Sequence, residues 1–369
     1  MNPESLRNLL ALNFIPKIGP VHSKNLVSYC GGVEGIFKAN KAQLQKVPGI
    51  GEVLATTILK HRSFERADKE LEFMEKNNIR AITYFDEDYP LRYKMVEDSP
   101  IILFTKGIIN MNIPKVLAIV GTRKNTQYGK DSCNKLIEDL ASSDVLIVSG
   151  LAYGTDVWAH NAAIKNNLQT VGVLAHGLDR IYPLENKPTA KKMVENGGLI
   201  TEYPSGTKPD KENFVQRNRI IAGIADAVVI IESAMKGGSL LTATFASNYN
   251  RDVFAFSGRT TDTYSQGCHY IIKRNLATLI ESADDVIYNM GWDEDTKPKK
   301  VKQVVIDFNL LSDEQKIIYD IIKVYEGGLD IDTITIKSNI FGGKVAGILL
   351  QMEFAGILRS LPGKIFQLV

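Results

Sequence analysis

The sequence predicts an α/β protein built on a doubly wound, mainly parallel sheet, with a smaller domain on each side of it. Between residues 115 and 285, short continuous apolar runs alternate with helical patterns, as in strands that crossover helices bury on both faces. The flanking residues 1–85 and 305–369 lack this alternation. At 369 residues, with 44% apolar and 23% charged side chains, the chain is long enough for two or three ordinary globular domains.

The alternating region, residues 86–290, is predicted as a Rossmann-like domain. Right-handed crossovers bring the carboxyl ends of parallel strands to one edge of the sheet, so we expect a ligand site at that edge. The predicted strands are Val116–Val120, Val145–Ser149, Thr170–Leu174, Leu199–Thr201, Ala227–Glu232, Val253–Ser257 and Thr278–Ile280. The predicted helices are Gly129–Ala141, Asp156–Lys165, Lys191–Asn196, Arg217–Gly223, Ser239–Asn250 and Gly267–Arg274.

Residues 1–85 are predicted as a helical domain of the SAM or helix-hairpin-helix kind. Two segments in it are alike: residues 15–20 (IPKIGP, with Gly19) and 47–51 (VPGIG, with Gly49) each combine proline and glycine just before a helical stretch. Glycine permits a tight turn, and the N–H groups at the start of the next helix can face a phosphate. The same turns also suit a protein contact, and the sequence leaves both interpretations open.

Residues 291–304 read as a polar linker, and residues 305–369 as a winged helix. The predicted helices Ser312–Tyr325, Ile331–Ser338 and Gly343–Ala355 precede a hairpin that turns at Pro362. The third helix of a winged helix often enters a DNA groove. Here that helix carries Lys344 as its cation, with Arg359 and Lys364 nearby in the hairpin, so DNA and protein both stay open as its partner.

Composition excludes several classes. With 44 Lys and Arg against 42 Asp and Glu the chain is no polycation, although a local basic patch can still bind a phosphate backbone. Three scattered cysteines and five scattered histidines predict no disulfide framework and no metal site. No apolar run approaches the roughly 20 residues of a membrane span, and the N-terminal segment does not resemble a secretory leader. A reduced, cytoplasmic protein is expected.

Basic and small residues follow the predicted strands at the edge where a ligand would bind. Backbone N–H groups in such loops, and at helix N-termini, cradle oxyanions. The small residues include Gly121, Thr122, Gly238 and Ser239. The cations that we expect to converge there are Arg123, Arg180, Lys211, Arg217, Arg219 and Lys236.

No catalytic residue and no cofactor is predicted. The chain has no G-x-x-x-x-G-K-[ST] phosphate loop, and no order of residues suggests a nucleophilic triad. Asp156 and His160 lie four apart, so they would be neighbours on one helix face. They would form either a proton-transfer pair or a hydrogen bond that fixes the glycine-rich loop above them; we favour the structural role, because no nucleophile or metal accompanies them.

Residues 118–281 closely resemble the DprA/Smf family of DNA-processing proteins. The stretches that carry the resemblance are AIVGTR, SGLAYGTDVWAH, GLDRIYP, TEYPSG, F-x-x-RNRIIAG, GGSLLTA and RDVFAFSG, in that order. The resemblance implies a non-enzymatic protein that binds and protects single-stranded DNA, forms a homodimer and delivers RecA recombinase onto incoming DNA during natural transformation. This sequence departs from the family pattern at Val215, where the family usually has proline.

The resemblance also implies roles for individual residues. Arg123, with donors from Gly121 and Thr122, would contact a phosphate, as would Arg180 and Lys211. Phe214 would stack on a base or else be a core aromatic. Arg217 and Arg219 lie two apart on a helix and cannot share one face, so one is expected to face DNA and the other to pair with Glu202 or Asp226.

One rival is a nucleotide-processing enzyme of the phosphoribohydrolase type. Those enzymes carry P-G-G-x-G-T-x-x-E in the equivalent loop. The segment from Met235 to Thr242 keeps the double glycine but lacks the following glycine and the glutamate.

Overall fold

The chain divides into two units, residues 1–292 and residues 293–369. A computed structural model describes residues 2–61, 63–292, 311–325, 328–361 and 365–368. Its helices in the first unit are α1 (Pro3–Asn13), α2 (Pro20–Tyr29), α3 (Val33–Lys38), α4 (Lys41–Leu44), α5 (Glu52–Lys60), α6 (Phe64–Lys76), α7 (Leu91–Lys94), α8 (Gln127–Asp139), α9 (Thr155–Lys165), α10 (Lys187–Met193), α11 (Lys211–Ile224), α12 (Ser239–Asn248), α13 (Gln266–Lys273) and α14 (Ala283–Met290). Its strands are β1 (Arg80–Thr83), β2 (Ile102–Gly107), β3 (Val116–Val120), β4 (Leu146–Ser149), β5 (Thr170–Val173), β6 (Gly197–Thr201), β7 (Ala227–Ile230), β8 (Asp252–Phe256) and β9 (Thr278–Ile280).

These strands form one sheet in the order β1-β2-β6-β5-β4-β3-β7-β8-β9. The strands from β3 to β9 pair in parallel, with registers such as Val116 opposite Leu146 and Leu117 opposite Ala227. All seven predicted strands are present, with ends that differ by one or two residues. The predicted doubly wound, mainly parallel sheet is therefore confirmed.

Alternate side chains of β3 pack on opposite faces of the sheet, and both faces are buried. All five residues of this strand are buried. Val116, Ala118 and Val120 belong to the apolar cluster on one face, and Leu117 and Ile119 to the cluster on the other. Because both faces need apolar side chains, the strand reads as a continuous apolar run with no polar alternation.

Two strands that the sequence did not predict extend this sheet. β2 pairs antiparallel with β6, and β1 pairs antiparallel with β2. β1 lies before residue 85, so the sheet starts within the segment predicted as helical. Ile101, Ile102 and Phe104 pack in the same apolar cluster as the helices of residues 3–76. The N-terminal helices and this end of the sheet therefore share a core.

Two helices begin four or more residues earlier than predicted. α10 begins at Lys187 instead of Lys191, and α11 begins at Lys211 instead of Arg217. Asp210 immediately precedes α11 in an extended conformation, which is the usual start of a helix after an N-cap aspartate. The longer α11 places Lys211 and Phe214 on its first turn, which matters for the site described below.

The second unit contains α15 (Asp313–Lys323), β10 (Leu329–Asp330), α16 (Ile331–Ser338), α17 (Gly342–Phe354), β11 (Leu358–Leu361) and β12 (Ile365–Leu368). The strands form an antiparallel sheet in the order β10-β12-β11. Three helices and a C-terminal strand pair appear in the predicted order, and the winged-helix assignment stays a prediction. The predicted turn at Pro362, Lys364 and most of the predicted linker lie outside the described residues.

Candidate nucleic-acid interface

A pocket of about 620 Å³ opens at the carboxyl edge of the sheet. Its walls come from the turn after β3, the loop after β4, the first turns of α11 and the loop between β7 and α12. β3 lies between β4 and β7, so the chain winds outward from β3 in one direction and then returns to its other side. Such a switch point is where doubly wound sheets bind ligands.

Nine of the eleven predicted site residues line this pocket: Gly121, Thr122, Arg123, Lys211, Phe214, Arg217, Lys236, Gly238 and Ser239. Arg180 and Arg219 do not line it. Lys124, Tyr153, Val215 and Leu241 line it as well and were not predicted. Lys124 directly follows Arg123, and Tyr153 lies in the glycine-rich loop after β4, so adjacency to the predicted motifs was the signal for both.

Positive charge dominates the mouth of the pocket. Arg123, Lys124, Lys211 and Lys236 are exposed, and within the described part of the chain none of the four forms a salt bridge. The carboxylate in the pocket wall, that of Asp156, is buried. A cleft lined by one sign of charge concentrates a ligand of the opposite sign, although the whole chain carries a net charge of only +2.

Phe214 forms an aromatic wall between these cations. Its side chain is half-buried, and the guanidinium carbons of Arg123 and Arg217 lie 5.4 and 5.8 Å from its ring centroid. These distances are within the range of cation–π contacts. The ring thus lies at the pocket surface and is not a core aromatic.

The side chains of Arg217 and Arg219 make different contacts. Arg217 is buried beneath the pocket and donates hydrogen bonds to the carbonyl oxygens of Gly150 and Val173. Burial lowers the pKa of its guanidinium to about 10, although the nearby Asp156 acts in the opposite direction. A Cβ at position 150 would overlap the guanidinium, so a larger residue there would force the Arg217 side chain to move.

Arg219 lies on the other side of α11. Its guanidinium forms an ion pair with Glu202 and donates to the hydroxyl of Tyr93, at 2.7 Å, and to the carbonyl of Asp98. Both Arg219 and Glu202 are largely buried. The structure therefore gives Arg219 the structural pairing with Glu202, and Arg217 is the arginine that borders the pocket.

A buried carboxylate holds the turn that presents Arg123. Glu232 accepts hydrogen bonds from the backbone N–H of Thr126, at 2.9 Å, and from its hydroxyl, at 2.6 Å. The backbone carbonyl of Glu232 also accepts from the N–H of Thr122 at 2.8 Å. At Gly121 a Cβ would overlap the hydroxyl of Thr155. These contacts fix the turn before any ligand binds.

Helix N-termini add backbone donors to the site. α9, α11 and α12 all begin at the pocket, and the residues before them, Gly154, Asp210 and Gly238, make no side-chain cap hydrogen bond. The first N–H groups of a helix have no partner within the helix and attract anions. Position 238 is open, with nothing within 4 Å of where a Cβ would be, so a ligand oxygen can approach the backbone there.

Asp156 and His160 do not form a pair with each other. The Nδ1 of His160 lies 2.7 Å from the Thr170 hydroxyl, which donates to the carbonyl of Ile147 at 2.9 Å. Asp156 accepts a long hydrogen bond, 3.4 Å, from the backbone N–H of Ala152. Burial lowers the pKa of His160 to about 3 and keeps the ring neutral. These contacts suit the structural role that we favoured from the sequence.

Arg180, which does not line the pocket, pairs with its neighbour in the chain. Its guanidinium donates to the carboxylate of Asp179 at 2.6 and 2.9 Å and its side chain is about 38% exposed. The loop that carries Arg180 reaches the pocket through Tyr182, whose ring centroid is 5.8 Å from that of Phe214.

The described ranges contain neither a candidate membrane helix nor a candidate metal cluster. Among those residues, no helix has the length and apolar character that crossing a bilayer requires. The same ranges hold no group of three or more His, Cys, Asp or Glu side chains arranged to bind a metal ion.

A parallel sheet with a cationic, aromatic-walled pocket at its switch point defines a Rossmann-like class of anion-binding protein that has no phosphate loop of the NTPase kind. Within that class, residues 80–291 match the family model of DNA recombination-mediator protein A, and residues 9–62 match that of the SAM-like helix-hairpin-helix tandem. The chain belongs to the DNA recombination-mediator protein A family, which confirms the resemblance found in the motifs.

Relatives and solved structures agree with this assignment. The chain is 31% identical over 352 residues to the putative DNA processing protein DprA of Mycobacterium tuberculosis, an overlap of 92% of this chain and 88% of that protein. It is 39% identical to DNA processing protein DprA of Bacillus subtilis over 57% of this chain and 71% of that protein. The X-ray structure of DprA from Streptococcus pneumoniae is similar with a TM-score of 0.68 at 30% identity, over 76% of this chain and 97% of that one.

A second solved structure is that of DNA processing protein A from Helicobacter pylori, which was described for its mode of binding single-stranded DNA. It is similar to this chain with a TM-score of 0.53 at 28% identity, over 58% of this chain and 96% of that one.

Proposed function

We propose that this protein binds single-stranded DNA in the pocket at the carboxyl edge of its sheet, protects the strand and loads RecA recombinase onto it. One observation carries the proposal: four exposed cations, none of which forms a salt bridge with a described residue, line the same pocket as the ring of Phe214. The H. pylori relative, described as binding single-stranded DNA, and the recombination-mediator family model support it.

Each part of the pocket suits one part of an unpaired strand. The cations and the N–H groups at the starts of α9, α11 and α12 would hold phosphate oxygens. Phe214 would stack on a base, which is sequence-tolerant because every base has a π-face. A duplex keeps those faces stacked within itself, so the aromatic wall favours a single strand without reading its sequence.

We infer that the pocket binds and does not catalyse, and that it needs no cofactor. The carboxylate of Glu232 is used to hold the turn before α8, and the loop from Met235 to Thr242 lacks the glutamate of the phosphoribohydrolases. Incubation with nucleoside monophosphates tests this inference: no base release is expected, and base release lost on mutation of the pocket would establish the enzyme instead.

We further infer a cytoplasmic homodimer. β9 is at the end of the sheet in the described residues, and the leucines at 276 and 279 beside its free edge are 47% and 44% exposed. An unpaired strand edge with apolar side chains suits a second copy of the chain. Light scattering should give a dimer, and Leu279→Arg should give a monomer; a monomeric wild type would contradict this inference.

Two of the cations described in the second unit already have partners. Lys344 on α17 forms an ion pair with Glu314, and Arg359 donates to Gln367. We therefore assign the binding of single-stranded DNA to the pocket. For the second unit and for the helix-hairpin-helix turns, both DNA and protein stay open as partners.

Binding is tested by fluorescence anisotropy with a labelled oligothymidine and a duplex of equal length, across a salt series. Tighter binding to the single strand, with affinity falling as salt rises, is expected. Equal affinity for the duplex would contradict the pocket as the site.

RecA loading is tested separately, by the rate at which RecA ATPase activity appears on DNA coated with single-strand-binding protein. Acceleration is expected, and an unchanged rate would refute the loading role.

A further inference from the structure

Two exposed tyrosines lie next to the aromatic wall of the pocket. Tyr182 is 45% exposed and Tyr153 is 42% exposed, large values for aromatic side chains in an ordered region of the fold. Tyr153 lines the pocket itself, and Tyr182 contacts Phe214. Neither is required to explain the binding of one base on Phe214, so their exposure calls for a separate explanation.

The geometry of Tyr182 and Phe214 suits two different bases. Their ring centroids are 5.8 Å apart, and their planes are inclined by 58°. A flat base that stacks on one of these rings cannot also lie parallel to the other. The two rings thus offer two stacking surfaces side by side, and a neighbouring nucleotide would have to turn to use the second one.

The loop that carries Tyr182 is tied to the loop that carries Tyr153. The hydroxyl of Tyr153 donates to Glu185 at 2.8 Å, and the side-chain amide of Asn186 donates to the carbonyl of Leu151 at 2.8 Å. Asn186 itself is buried. Because two side-chain hydrogen bonds join the loops just after Tyr182, this part of the loop is held in place before a ligand arrives, which reduces the entropy lost on binding.

The loop that carries Tyr182 also carries a cation. Arg180 is two residues before Tyr182, and its bonds to Asp179 use Nε and Nη2 and leave the side chain about 38% exposed. A strand that continued from Phe214 to Tyr182 would therefore have a cation available in the same loop for a phosphate.

We propose that Tyr182, supported by Tyr153, is a second base-stacking platform that continues the path of the single strand from Phe214 toward Arg180. The proposal rests on the proposed function, and its ligand is an unpaired nucleobase of the same strand. The competing role of Tyr182 is a buttress that only holds the ring of Phe214. The two roles differ in whether a base touches Tyr182.

Photocrosslinking with oligothymidine that carries 5-iodo-2′-deoxyuridine tests the contact in the full-length protein. Trypsin separates the three aromatic residues: Phe214 falls in peptide 212–217, Tyr182 in 181–191 and Tyr153 in 136–165. Crosslinks in both 212–217 and 181–191 are expected. Crosslinks in 212–217 without any in 181–191 would overturn the proposal and leave the proposed function standing, whereas no crosslink in either peptide would count against both.

A length series of oligothymidines provides the second test. Tyr182→Leu should bind long oligomers about 5- to 150-fold more weakly than the wild type, with an unchanged salt slope because no charge is removed. It should bind the shortest oligomers, which reach Phe214 alone, as the wild type does. Tyr182→Phe should bind normally, since the ring face remains. Tyr288, 79% exposed on α14, gives the matched control Tyr288→Leu.

The buttress role predicts a different pattern. If Tyr182 only held Phe214, then Tyr182→Leu would weaken oligomers of every length by the same factor, as Phe214→Leu does. A uniform loss of that kind, or no loss at any length, would refute the second platform.

Discussion

Replacing Arg123 with alanine removes a guanidinium that follows β3 at the mouth of the pocket and lies 5.4 Å from the ring of Phe214. The side chain is exposed and forms no salt bridge with another described residue, so its loss leaves no buried charge behind. The expected effect is therefore on binding and not on stability. Each phosphate neutralised on a single strand contributes about 0.7 to the slope of log K against log salt.

The magnitude follows from counting the exposed cations. If Arg123, Lys124, Lys211 and Lys236 each neutralise one phosphate, the wild-type slope is about −2.8 and that of Arg123→Ala is about −2.1. Loss of one charge-assisted hydrogen bond costs about 2 kcal/mol, roughly a 30-fold weakening at low salt. The difference between the two proteins should shrink about 2.6-fold between 50 and 200 mM salt, because the variant is less sensitive to salt.

Anisotropy titrations of labelled oligothymidine across that salt range measure both quantities. Arg123→Lys should keep the slope and lose part of the affinity, since it keeps the charge but not the planar group beside Phe214. Lys165→Ala is the matched control, because Lys165 is exposed at the far end of α9, whose first turn borders the pocket. Wild-type affinity and slope in Arg123→Ala would refute the pocket, and the helix-hairpin-helix turns at Gly19 and Gly49 would become the better candidates.

Four further outcomes are expected. Phe214→Leu should weaken oligothymidine binding by about 1–3 kcal/mol with an unchanged salt slope; a changed slope in anisotropy titrations would show that the ring is not acting by stacking. Arg219→Met leaves the buried carboxylate of Glu202 without its partner, so urea unfolding should show a loss of about 3–5 kcal/mol, while the folded fraction binds DNA normally; reduced affinity per folded molecule would return Arg219 to the site. The pKa of His160 is about 3 in the fold against an ordinary value of 6.5, so the unfolded chain takes up a proton that the native state does not. The free energy of unfolding should therefore fall by up to about 1.4 kcal/mol per pH unit from pH 6.5 down to 3, and less steeply in His160→Gln; equal pH dependence in the two proteins would contradict a neutral buried ring. A chain that ends at Trp292, which is buried in the core of the first unit, should keep most of its affinity for single-stranded DNA; loss of that affinity in a well-folded truncation would move the site to the second unit.

The parallel part of the sheet was predictable because burial on both faces leaves a local mark. β3 and β7 are continuous apolar runs, and each is followed by a helix. The antiparallel strands β1 and β2 leave no such mark. Their place depends on the pairing of Ile102–Gly107 with β6, about a hundred residues later in the chain, and no local pattern in residues 80–107 indicates that partner.

The sequence could predict those site residues whose position follows from the end of a parallel strand. Residues that directly follow β3 or begin α12 had to meet at one edge, and Arg123 and Ser239 do. The sequence could not show which of Arg217 and Arg219 borders the pocket. Both lie on one helix, and their positions depend on contacts with Gly150 and Glu202, which are remote in the chain. The place of Tyr182 against Phe214 likewise depends on how two separate loops pack.

Lysine footprinting tests the central claim most directly. The full-length protein is acetylated with and without saturating oligothymidine, and the modification of each lysine is measured by mass spectrometry. Lys124, Lys211 and Lys236 line the pocket and are exposed, so we expect DNA to protect all three, while exposed Lys165 at the far end of α9 reacts equally in both samples. Protection of lysines elsewhere, with Lys124, Lys211 and Lys236 unchanged, would contradict the pocket as the site of single-stranded DNA.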